Sequence, residues 1–161
     1  MTSRFPRRIY TADEVERARQ FAQSGLKHRL VLNGSLNFKR GARAALRHVK
    51  TAGFRDLLRT YIRKIVEVDG FSQLREDDAA IWMNTQSLAN AIEAAGFLVQ
   101  KAFLMKEFLE GRLHYGGAAE ARSVEKRVKF LKALETQANS RIVKEECKRM
   151  LRSWADSAFV F

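Results

Sequence analysis

The chain has 161 residues, 46% hydrophobic and 30% charged, a composition that supplies one well-filled core and excludes both an intrinsically disordered chain and two full-sized domains. Its formal net charge is +12, and the whole excess lies in residues 1–64, which hold 16 Lys and Arg against 4 Asp and Glu, whereas residues 65–161 hold 14 of each. No apolar run reaches the roughly 20 residues needed to span a bilayer, and the single cysteine, Cys147, excludes an internal disulfide framework.

The first ten residues, MTSRFPRRIY, form a basic arm carrying Arg4, Arg7 and Arg8. No apolar block follows it as in a secretory leader, so a cytoplasmic protein is expected. Thr11 to Glu14 has the form of a capping box, with the Thr11 hydroxyl accepting from the Glu14 amide and the Glu14 carboxylate reaching back. A first helix is expected from Ala12 to Ser24, ended by Gly25. The stretch LKHRLVLNG after it fits either a short helix or an extended connector.

Ser35 is placed to cap a second helix that runs through Lys50 and Thr51 and stops at Gly53. A third helix is expected over Phe54 to Val68, ended by Asp69-Gly70. Asp77 and Asp78 then open a long helical pattern through Ile81, Leu88, Ile92, Val99, Phe103 and Phe108 to Gly111, where their charges suit the positive end of the dipole. Gly96 inside it marks a break or a close crossing.

After Gly116-Gly117, residues 118–154 read as helical throughout. One stripe runs through Val124, Val128, Leu131, Leu134, Ala138 and Ile142; a second, one residue out of register, runs through Val143, Cys147, Met150 and Trp154. Asn139-Ser140 at the slip fits two helices or one with a shifted seam. The apolar tail SAFVF is expected to pack. Every segment with clear periodicity is helical, which predicts an all-α, single-domain bundle of five to seven helices. Residues 11–70 would form its basic half and residues 77–161 its neutral, long-helix half.

The charge has a geometry as well as a sign. At about 100° per residue, Lys39, Arg40, Arg43, Arg47 and Lys50 share one flank of the second helix, within roughly 100° of one another. Phe38, Ala42, Ala45, Leu46 and Val49 take the opposite face, and Ala44 and His48 the remainder. Arg55, Arg59 and Arg63, spaced by four, repeat the arrangement on the third. Solvated helices usually interleave opposite charges, since like pairs at i,i+4 cost about 0.2–0.5 kcal/mol each; here only Asp56 interrupts the run. Six of the eight cations are Arg, whose forked donors match phosphate and carboxylate.

These eight are therefore the expected contacts to nucleic-acid phosphates. An acidic protein surface is the alternative partner, and anionic lipid a lesser one because the helices already have inward apolar faces. His48 to Thr51, a turn at Gly53 and an Arg-rich helix have helix-turn-helix spacing, but Arg59 falls where such a motif packs inward, so sequence-specific DNA reading is not expected. Trp82, Met83, Phe97, Leu98, Phe103, Leu104, Met105, Phe108 and Leu109 exceed one narrow stripe and allow a self-association face.

No phosphate-cradling or dinucleotide glycine motif and no nucleophile elbow occurs. The histidines, His28, His48 and His114, match no metal spacing. Glu107, Glu110 and His114 read as a surface cluster at a helix end, Asp77-Asp78 as a cap, Glu145-Glu146 as solvated surface, and Cys147 as a small buried side chain. No cofactor, metal or catalytic residue is nominated.

Overall fold

A computed structural model describes residues 12–112 and 116–158, with side chains through 155. The N-terminal arm, the Thr11 cap, His114 and the apolar end of the tail lie outside the described residues. The first helix, α1 (Ala12–Gln23), ends as expected before Gly25, whose φ is 79°. The ambiguous stretch is extended and leads into strand β1 (Val31–Asn33). Helix α2 (Leu36–Thr51) starts at the expected cap, where Ser35 Oγ accepts from the Phe38 amide at 3.1 Å. It ends at the expected turn, where Gly53 adopts φ 85°. Helix α3 (Arg55–Tyr61) follows at once.

From there the all-α expectation fails. The third helix does not reach Val68: Ile62 is already extended, and strand β2 occupies Lys64–Glu67. Ile62, Ile65, Val66 and Val68 crowd Cβ, which restricts χ1 in a helix and suits a pleated surface. The long helix expected from Asp77 is also corrected. In its place come β3 (Gln73–Arg75), a 3-10 turn at Glu76–Asp78, β4 (Ala80–Met83), a second 3-10 turn at Thr85–Leu88, and only then α4 (Ala91–Leu109). Asp77 and Asp78 cap no helix. Asp78 instead holds Lys64 at 2.6 Å and Arg63 at 3.7 Å.

The four strands make one mixed sheet in the order β1-β2-β4-β3, with β1, β2 and β4 parallel and β3 antiparallel to β4. Helices α2 and α3 together form the crossover between the parallel strands β1 and β2, the connection that parallel pairing demands. Leu32, Ile65, Ile81 and Leu74 lie across from one another in register and share one face, which packs on the core. The other face carries Lys64, Trp82 and Arg75, the last stacked 4.4 Å over the Trp82 ring.

Helix α4 runs through the middle of the molecule, in contact with α1, α2, α3 and α5. That position explains why it is apolar on nearly every side. Leu98, Met105 and Leu109 are fully enclosed, while Phe97 and Phe108 pack half-buried against the same core. Much of the apolar surplus that allowed a self-association face is thus packed within the chain, whereas Trp82 lies on the sheet face away from the core. Gly96 resolves as a close approach: a Cβ there would stand 2.8 Å from Arg127 Nε of the next helix. Arg127 in turn binds Glu93 (2.7 Å) and Gln100 (3.1 Å), and Gln100 donates to the buried Ser123 hydroxyl at 2.9 Å.

Residues 118–154 form two helices, α5 (Gly117–Gln137) and α6 (Arg141–Ala158). The break at 138–140 rotates the seam, so that Ile142 faces outward while Val143, Cys147 and Met150 turn inward. Ser140 Oγ accepts from the Val143 amide at 3.3 Å, and Lys144 Nζ donates to the Glu135 carbonyl at 2.8 Å, closing the end of α5. No described helix is long and apolar enough to cross a membrane.

Candidate nucleic-acid interface

Three pieces of chain meet at the N-terminal end of the parallel strands: the second half of α2, all of α3, and the extended residues leading into β1. Their junction is held by reciprocal hydrogen bonds. The His28 amide donates to the Arg59 carbonyl at 2.8 Å, and Arg59 Nε donates back to the His28 carbonyl at 2.8 Å. The His28 ring is buried against Phe21, with ring centroids 4.7 Å apart. Burial, reinforced by the Arg63 and Arg59 charges, lowers its pKa to about 4, so it stays neutral near pH 7.

Between these pieces opens a cleft of about 490 Å³. Arg29, Arg43, Arg47, Lys50, Arg55 and Arg59 line it. Its floor is aliphatic: Leu30, Leu46, Val49 and Leu58. Val49 and Leu58 belong to the closed core, whereas Leu30 and Leu46 are half-buried. Among the described residues, none of the six cations has a carboxylate within 4.0 Å. The chain does form such pairs elsewhere, as at Arg127–Glu93 and Lys64–Asp78.

Of the eight cations proposed from the sequence, five therefore converge: Arg43, Arg47, Lys50, Arg55 and Arg59. Arg59 is the most constrained of them, since its Nε is committed to the His28 carbonyl. Lys39 and Arg40, nearer the start of α2, lie on the same helix but do not line the cleft. Arg63 is removed from the stripe by the helix-to-strand change. Its amide donates to the Ala79 carbonyl at 2.8 Å, and its guanidinium faces Asp78. Arg29 and Leu30 escaped the sequence reading because their position depends on β1 pairing beside β2, and neighbouring residues carry no signal of it.

The opposite end of α2 is closed to anions. Glu67, at the end of β2, accepts from the Ser35 amide at 2.8 Å and from the Thr85 hydroxyl at 2.9 Å. These bonds hold its carboxyl below the usual range and place its own negative charge on the positive end of the helix.

Two carboxylates elsewhere have structural partners. Glu107, expected at the surface, is buried and receives Arg122 Nε at 3.0 Å, with Arg112 at 3.6 Å. Glu146 joins α6 to the start of α4 by accepting from Asn90 at 3.3 Å, and it also pairs with Arg149. Among the described residues, no three His, Cys, Asp or Glu side chains gather as a metal site. No family model, curated protein or solved structure matches the chain.

Proposed function

We propose that this chain binds nucleic acid through phosphate contacts made by the α2–α3 cleft, without strong sequence specificity, and that it does so in the cytoplasm. The observation that carries the reading is the gathering of six cations around one concavity with no carboxylate among them. Like charges at i,i+4, such as Arg43 with Arg47 and Arg55 with Arg59, destabilise the free helices by a few tenths of a kcal/mol per pair. An anionic ligand that neutralises them recovers that cost. The partner's charge follows from the residues, and Arg predominance favours the forked geometry of phosphate.

The test is fluorescence anisotropy with mixed-sequence oligonucleotides at low salt, comparing the wild type with the triple variant Arg43→Gln, Arg47→Gln, Arg55→Gln. Arg59 is left intact because it holds the junction with His28. The wild type should bind more tightly than about 10⁻⁴ M, the weak end of non-specific affinity, and the variant at least ten-fold more weakly. The variant's thermal midpoint should equal or slightly exceed that of the wild type, since repulsion has been relieved. Absence of binding by the wild type, or equal binding by both proteins, overturns the reading and directs attention to an acidic protein partner.

A further inference from the structure

We infer that the cleft takes an unpaired strand, seating one base on the Leu30–Leu46 floor while the rim cations hold the flanking phosphates. The inference rests on the nucleic-acid reading above and adds the class of strand. A duplex keeps its bases stacked inside and shows phosphates on a convex surface, so it meets only a rim and needs no apolar floor. Here the floor is present and open. Leu30 and Leu46, half-buried, line an open cleft of about 490 Å³ whose exposed lining is mostly apolar.

The cations that line the cleft come from three pieces of chain instead of one helix face. Arg43, Arg47 and Lys50 stand on α2, Arg55 and Arg59 on α3, and Arg29 on the strand lead-in. A bent single strand supplies phosphates on more than one side of a base, and guanidinium planes offer further surfaces on which bases stack. Phe54 and Tyr61 are not among the residues that line the cleft, so neither serves as a platform. The base contact is therefore aliphatic from the floor and cationic from the walls. Arg59, fixed by the His28 carbonyl, is the wall element already in place before a ligand arrives.

The experiment varies the ligand, which leaves the protein's folding untouched. Binding of the wild-type protein is measured to three fluorescein-labelled probes of equal phosphate number: oligodeoxythymidine, the same backbone with abasic tetrahydrofuran units, and a duplex. The intact single strand should bind about five-fold or more tightly than either of the others. A Leu46→Gln variant should lose that preference while still binding all three probes with similar salt dependence. Equal affinity for the intact, abasic and duplex probes, all steeply salt-dependent, overturns this inference and leaves the phosphate-binding reading standing. Failure of all three to bind removes both.

Discussion

Acidification should destabilise this protein well before its carboxylates titrate, because of His28. The imidazole is 7% exposed, stacked on Phe21 and flanked by the Arg59 and Arg63 charges, which together with burial lower its pKa from 6.5 to about 4. In the unfolded chain His28 takes up a proton as pH falls through 6.5, and in the folded chain only near 4. Stability is therefore greatest above pH 6.5 and falls through the window down to about 4. At about 1.4 kcal/mol for each tenfold change in proton affinity, the loss across that window is on the order of 3 kcal/mol.

His48, half-buried beside Arg47, is lowered in the same direction and adds a smaller loss of the same sign. The assay is urea unfolding followed by circular dichroism at pH 7.5, 6.5, 5.5 and 4.5. The wild-type midpoint should fall steadily below pH 6.5, and His28→Gln, which cannot titrate, should flatten most of that fall. A midpoint constant between pH 7.5 and 4.5, or a wild-type slope kept in His28→Gln, would refute the account of the junction behind the cleft.

Two further predictions concern packing. A Cβ at Gly34 would stand 2.6 Å from Phe38 Cδ1 and 2.8 Å from Glu67 Cβ, so Gly34→Ala should lower stability by about 1–3 kcal/mol, the cost of overpacking; an unchanged thermal midpoint contradicts this. Cys147 is fully buried and its thiol is pushed up to about 11, so at pH 8 a thiol reagent should label it only after denaturant is added. Rapid labelling of the folded protein would place α6 differently.

Much of the architecture is legible in the residues, and its omissions have physical causes. Caps and stops acting over three or four positions were readable: Ser35, Gly25 and Gly53 mark the ends seen in the structure, while the slip at Asn139-Ser140 left one helix or two open and proves to be a break. The sheet was not. All four of its strands have only three or four residues, and Arg55, Arg59 and Arg63 keep a spacing of four that mimics one continuous helix across Tyr61. The competing signal was the cluster Ile62, Ile65, Val66 and Val68, which favours a pleated surface over a helix. Four-residue β4 was similarly absorbed into the strong pattern of α4.

For the site, charge excess and helical phase were local properties, and they identified five of the six cations lining the cleft. Concavity was not local. Arg29 and Leu30 reach the cleft only because β1 pairs with β2 across more than thirty residues of intervening chain. Lys39 and Arg40 show the converse limit: they have the right helical phase, but lie too near the start of α2 to line the cleft.

The most direct test of the central claim is the salt dependence of single-strand binding. Engagement of all six cleft cations gives a slope of log affinity against log salt near about −4, at roughly −0.7 per neutralised phosphate of a single strand. The triple variant Arg43→Gln, Arg47→Gln, Arg55→Gln should reduce it to about −2. A wild-type slope near zero, or the same steep slope in both proteins, would contradict the assignment of these side chains as the phosphate contacts.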